Sequence, residues 1–272
     1  MELVVFYKIS FLVAFLTSAG LTLTGKHLLL RSNILAVFLC SQLAFLGKMC
    51  AVIVAPENQL LALIVSLTFY FCGLVGLSKV KVELNLKSPI IISMYLFLTS
   101  LQYFLVTFFP ALDPHFSVGF FGNIVTASDF ENNLLIISFM LFLIMYYKRR
   151  AQLLKNSFEI SIFGRLKYGK REAIVDQIIL SVPVALSLFA LGFVYTLSFL
   201  MISAVILSVS CVSNLSTTKL SVLISGVSSV GGLLLSILND RLATSPAQIL
   251  ILTFLSLLFL ALPKITRSAF GE

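Results

Sequence analysis

The sequence predicts an all-helical, polytopic integral membrane protein, and three observations carry that prediction. Hydrophobic residues make up 59% of the 272-residue chain, and charged residues only 11%. The mean hydropathy is +1.08, well outside what a soluble core and its polar surface produce together. Apolar runs of about 20 residues, the length a helix needs to cross the hydrocarbon core, recur about nine times. A single transmembrane domain over residues 1–272 accommodates all of them.

In order, the runs cover about 3–24, 34–55, 59–78, 89–110, 132–148, 173–193, 196–213, 219–239 and 247–263. The first is expected as a retained helix, because it lacks a basic leader and a small-residue cleavage site and similar spans follow it. The sixth and seventh meet at Gly192 to Thr196 with no polar loop. About nine spans are expected, and one bent element there would leave the total within eight to ten.

Lysine and arginine set the expected orientation, since cytoplasmic loops are enriched in both. Lys26, Arg31, Lys79, Lys155 and the run Lys148, Arg149, Arg150 fall on one side of the nine-span topology, and Arg241 falls on the other. Glu57, Asp113, Asp129 and Glu131 lean towards the side of Arg241. This places the N-terminus outside and the C-terminus in the cytoplasm. The net charge of +8 therefore reports topology in a lipid bilayer and does not point to nucleic acid. Cys40, Cys50, Cys72 and Cys211 are scattered through apolar runs without a Cys-x-x-Cys pair, which argues against a zinc knuckle or a disulfide framework.

Two loops are long enough to fold. The outer one, ALDPHFSVGFFGNIVTASDFENN, contains a helix start in which Ser128 caps and Glu131 answers three residues later. The inner one, at about 149–172, holds an amphipathic segment with Phe158, Ile160, Ile162 and Phe163 between basic flanks. Those apolar side chains need a surface to cover, either protein or headgroup.

Chemistry is sparse. GLTLTGKH, Gly20 to His27, is one residue short of a phosphate loop, but it closes a membrane helix instead of joining a strand to a helix, so any ATP is expected on another chain. His27 and His115 are the two histidines, and His115 with Asp113 is either a weak external metal contact or a solvated pair. No nucleophile and base stand together, so neither an enzyme nor a cofactor is expected. Polar groups within spans are costly and often functional, which singles out Lys8, Gln42, Lys48 and Asp176. Lys8 and Lys48 are long enough to snorkel, and Asp176 at the start of its span suits an interfacial carboxylate. Gln42 lies one turn after Phe38 on a shared face, which either packs against a helix or lines a path.

Three segments together resemble the permease subunits of bacterial ABC importers for zinc, manganese and iron. GKHLLLRSNILAVFLCSQLAFLG is similar to the Gly-x-x-x-x-x-Arg corner that leads into the second helix of that family. GFFGNIVTASDFENNLLI resembles its Leu-Phe-Gly-x-Ile-Leu-x-x-Ser element, and SFLMISAVILSVS through GGLLLSILNDRLATSPAQILIL follows the order of its last three helices. The resemblance implies an ABC permease-like fold in the bacterial cytoplasmic membrane. It also implies an ABC ATPase subunit, an extracytoplasmic substrate-binding protein and a second permease copy or paralogue as partners. In such permeases a cytoplasmic helix with a Glu, and a Gly five residues on, docks in the ATPase. Phe158, Glu159 and Gly164 in FEISIFG are the matching positions here.

The family usually carries an Asp and, four residues later, a His in the second helix, a ligand pair suited to divalent metals. The matching positions are Phe38 and Gln42, with Lys48 nearby, and the family's proline in the serine-alanine helix is replaced at about Val209. Phe38, Gln42 and Lys48 are thus the candidate pathway residues, and the metal ligands are undefined. Import of a divalent metal, zinc or manganese, is the leading expectation. Another substrate, or a divergent partner subunit of a heterodimeric transporter, is the first alternative. An ATPase-independent secondary transporter or membrane scaffold is the second.

Overall fold

The computed structural model describes residues 7–31, 33–79, 84–122, 124–125, 127–163, 170–209, 214–239 and 242–269. Gly164 and Cys211, and the side chain of Val209, lie outside the described residues. The helices are α1 (Lys8–Leu30), α2 (Ile34–Val54), α3 (Gln59–Lys79), α4 (Leu84–Phe108), α5 (Asp113–Phe121), α6 (Asp129–Phe163), α7 (Lys170–Leu191), α8 (Phe193–Val209), α9 (Asn214–Leu238) and α10 (Thr244–Ala269). A 3-10 turn, Pro110–Leu112, precedes α5. Seven helices, α1 to α4, α6, α7 and α9, are long and apolar enough to cross a membrane, while α8 and α10 are shorter apolar helices over their described residues. The all-α, multi-pass fold read from the sequence is the fold observed.

The bundle is built on α1, α2 and α7, whose spans are mostly buried inside the protein. α1 packs against α6, α8 and α9, while α2 packs against α3 and α4. The outer helices turn large apolar side chains such as Ile64, Phe97, Phe104 and Leu141 away from the protein, as lipid contact requires. Lipid tails are as apolar as leucine, so burial alone does not drive these helices together. Hydroxyl contacts supply part of the adhesion. The Tyr195 hydroxyl lies 3.1 Å from Thr17 Oγ1 and 3.0 Å from Ser229 Oγ, joining α8 to α1 and α9. Gln248 Nε2 donates to the Ser229 carbonyl at 2.8 Å and brings in α10.

The sixth and seventh expected spans are two helices. They break at Gly192, whose φ of +84° lies in the left-handed region that a side chain disfavours. This elbow sits on the end of α5, where Gly122 has φ +77°. A Cβ on Gly122 would fall 1.7 Å from the Leu191 carbonyl oxygen, and one on Gly192 would fall 2.7 Å from Gly122 Cα. Ser245 Oγ donates to the Gly122 carbonyl at 3.1 Å, so the start of α10 closes the same junction. GFFGN therefore has a geometric reason for its second glycine: two backbones touch there.

The capping box expected at the start of α6 is present, with Ser128 N donating to Glu131 Oε2 at 2.9 Å and Glu131 N to Ser128 Oγ at 3.2 Å. The inner amphipathic segment, expected within a loop at about 149–172, is instead the continuation of α6, which runs unbroken for 35 residues. No Gly or Pro interrupts residues 148–163, and Ala, Gln, Leu and Lys there favour helix. The Gly20 to His27 stretch is likewise helical, not a phosphate-binding loop.

Candidate functional site

Phe38 and Gln42 do share a face of α2, and the structure turns that face inward. The Phe38 ring meets Tyr95 of α4 edge-on at 6.2 Å and Phe193, the first residue of α8, at 6.3 Å. Phe193 stacks on Phe120 at 5.4 Å, and Phe120 on Phe116 at 5.8 Å. A file of aromatic rings thus leads from α2 to α5, in geometries that favour ring contact. It leaves no oxygen or nitrogen ligand at the Phe38 position.

Gln42 is fully buried. Its backbone carbonyl accepts from Gln102 Nε2 of α4 at 2.9 Å. Its side-chain Oε1 and Nε2, and Gln102 Oε1, have no partner among the described residues. Buried amide atoms are normally paired, so this is the one level of α2 where polar capacity is held in reserve.

Lys48 does not snorkel. Its ammonium turns onto the Phe189 carbonyl at 2.7 Å and stands 4.4 Å above the centre of the Phe189 ring. The Phe189 carbonyl belongs to the last turn of α7, where carbonyls lack partners within the helix and the dipole is negative. Lys48 is therefore a cap for α7, strengthened by a cation–π contact. The three expected pathway residues gather at two neighbours, with Phe38 and Lys48 reaching the α7–α8 elbow and Gln42 lying beside α4. His115 and Asp113 are exposed on α5, and no group of three metal-ligating side chains occurs among the described residues.

A second polar centre lies at the basic end of the bundle. Asp176, expected as an interfacial carboxylate in a first turn, is fully buried in the second turn of α7. Arg31 Nη2 donates to its Oδ2 at 3.1 Å, and Asn156 Nδ2 donates to the same oxygen at 2.8 Å. Arg149 stands 3.8 Å from Asp176 Oδ1. Arg31 Nε also donates to Ser157 Oγ at 3.0 Å, and Ser157 Oγ donates in turn to the Leu153 carbonyl at 2.8 Å. That hydroxyl proton being used, His27 Nδ1, 3.0 Å from Ser157 Oγ, must be the donor of its pair. Burial pulls the Arg31 guanidinium below its ordinary value, and the Asp176 carboxylate pulls it back up.

This centre clamps the extension of α6 to α1 and α7. Beyond it Phe158 and Ile162 stand exposed, at 40% and 70%, and Glu159 is half-buried. The charge pattern held the signal that could have found it. Asp176 is the acid within its span and Arg31 the cation of the α1–α2 corner, and buried charges of opposite sign in a bundle tend to pair.

No family model matches the chain, and no curated protein matches it. In fold it is similar to PsaBC from Streptococcus pneumoniae in complex with Fab, with a TM-score of 0.73 over 93% of this chain and 90% of that one. The two are 16% identical in sequence. What the likeness shows is the fold.

Proposed function

We propose that this chain is the membrane-spanning permease subunit of an ATP-driven ABC importer, oriented with its basic end in the cytoplasm. The observation that carries the reading is the clamped end of α6. A helix that spans the membrane continues without a break into a segment bearing Phe158, Glu159 and Ile162, and buried ion pairing fixes that segment to α1 and α7. An ATPase docked on the exposed apolar side chains would move α6 as a rod and alternate access between the two sides. The fold likeness to PsaBC and the resemblance of FEISIFG to a docking helix both support this. The permease performs no chemistry; ATP is hydrolysed by the docked subunit, and substrate is delivered by an extracytoplasmic binding protein to a pair of permease chains.

Divalent metal, zinc or manganese, is the substrate class that the resemblance favours. The Phe38 rings favour a second reading, in which the substrate is not a bare metal ion or the chain is the divergent partner of a second permease. Both keep the ATPase. The test is to purify the chain with its neighbouring ATPase and measure transport in vesicles with Phe158→Asp, Ile162→Asp, Glu159→Lys and Gly164→Trp. Loss of transport and of co-purification, with the protein still inserted, supports docking here. Unchanged transport by all four removes this end of α6 from the mechanism.

A further inference from the structure

Where α1, α6 and α9 diverge, two apolar grooves run along the membrane-facing side of the bundle. One, of about 520 Å³, is lined by Phe15, Leu23, Val222, Leu223 and Val227. The other, of about 590 Å³, is lined by Leu23, Met140, Leu143 and Ile144. Both grooves share Leu23, Tyr146 and Tyr147, so they converge at one point. That point is the basic end. Arg150 and Lys219 line the mouth of the first groove and Lys148 the mouth of the second. Lys26 reaches across the first mouth to donate to Thr218 Oγ1 at 2.8 Å. Among the described residues, no carboxylate forms an ion pair with Lys26, Lys148, Arg150 or Lys219.

We infer that this is a binding site for an anionic phospholipid of the leaflet at the basic end, the phosphate held by Lys26, Arg150 and Lys219 and one acyl chain laid in each groove. Cations gathered between helices beside tyrosines at the interface are the chemistry that recognises such a headgroup. From Lys219 to Val227 the first groove descends about 12 Å along α9, into the region that tails occupy. A soluble acidic partner cannot follow it there. A second copy of this chain fits no better, because a two-fold contact sets a patch against itself and would bring the same unpaired cations face to face. The inference rests on the membrane-spanning fold and not on import, so it stands or fails separately from the proposed function.

The chain contains no tryptophan, which gives a clean reporter. Tyr147 is 82% exposed and lines both grooves, so Tyr147→Trp places one indole at the site without disturbing the interior. The purified full chain is reconstituted in phosphatidylcholine vesicles containing brominated phosphatidylglycerol or brominated phosphatidylcholine, and quenching of the indole is read. The anionic lipid is expected to quench at about fivefold lower mole fraction, as one basic contact near the surface provides. Adding Lys26→Gln, Arg150→Gln and Lys219→Gln together is expected to abolish that preference. High salt is expected to weaken it in the otherwise native chain, a control that needs no further substitution. Equal quenching by the two lipids would overturn the inference, as would a preference that survives the triple substitution or high salt. An indole shielded from both lipids in a chain that sediments as a dimer would also overturn it, and would assign the grooves to a contact between copies.

Discussion

The Arg31 guanidinium lies 3.1 Å from the Asp176 carboxylate, with side-chain exposures of 2% and 0%. Removing one member of such a pair strands the other charge in a medium that cannot solvate it. Arg31→Met or Asp176→Leu alone should therefore cost about 3–5 kcal/mol. Replacing both should recover much of the loss, because the desolvation penalty disappears with the attraction. Thermal unfolding of the detergent-solubilised single and double variants gives the coupling. Additive losses would mean that the pair does not act as a unit.

Gly192→Ala should destabilise the bundle by about 2 kcal/mol or more, since a positive φ and a contact between two backbones are violated together. Gly122→Ala should do the same. Gly76 has open space around it and is the control, where alanine should be neutral or slightly stabilising. Melting temperatures of the three variants test the ranking.

Sidedness can be read with an impermeant maleimide on a cysteine-free background. Cysteines placed at Ser117 and Ser161, both exposed, should label from opposite faces, Ser161 from the cytoplasm. Ser157 is unsuitable, being buried and bonded to Arg31. Labelling of both positions from one face would contradict the nine-span topology.

At the α2 face, one phenyl ring and one amide are poor ligands for a dehydrated divalent ion. Phe38→Asp together with Gln42→His should create or strengthen binding of zinc or manganese to the purified chain, read by titration against the native protein. Tight native binding that Gln42→Ala alone abolishes would make Gln42 a ligand and defeat this prediction.

Composition and spacing made the helical class legible, because roughly 20-residue apolar runs have few other stable forms in a bilayer. The Ser128 capping box was legible too, since its spacing is local. Asp176 was misjudged because sequence position marks the start of a span but not how deeply the neighbouring helices bury it. The ammonium of Lys48 went unforeseen for a similar reason: its partner is a backbone carbonyl 141 residues away, freed only because α7 ends at Leu191. The extension of α6 was hidden by its charges, which read as a loop although every residue there tolerates a helix.

The clamp divides α6 unequally. From Asp129 to Asn156 the helix measures about 40 Å, and from Asn156 to Phe163 about 10 Å, at the usual rise per residue. With the Asp176 contacts as fulcrum, the two lengths are the arms of a lever with a ratio of about four to one. A push of ~1 Å on the short arm would swing the far tip by ~4 Å. The same leverage works in reverse, so a force applied at the far tip reaches the short arm as a smaller but stronger displacement.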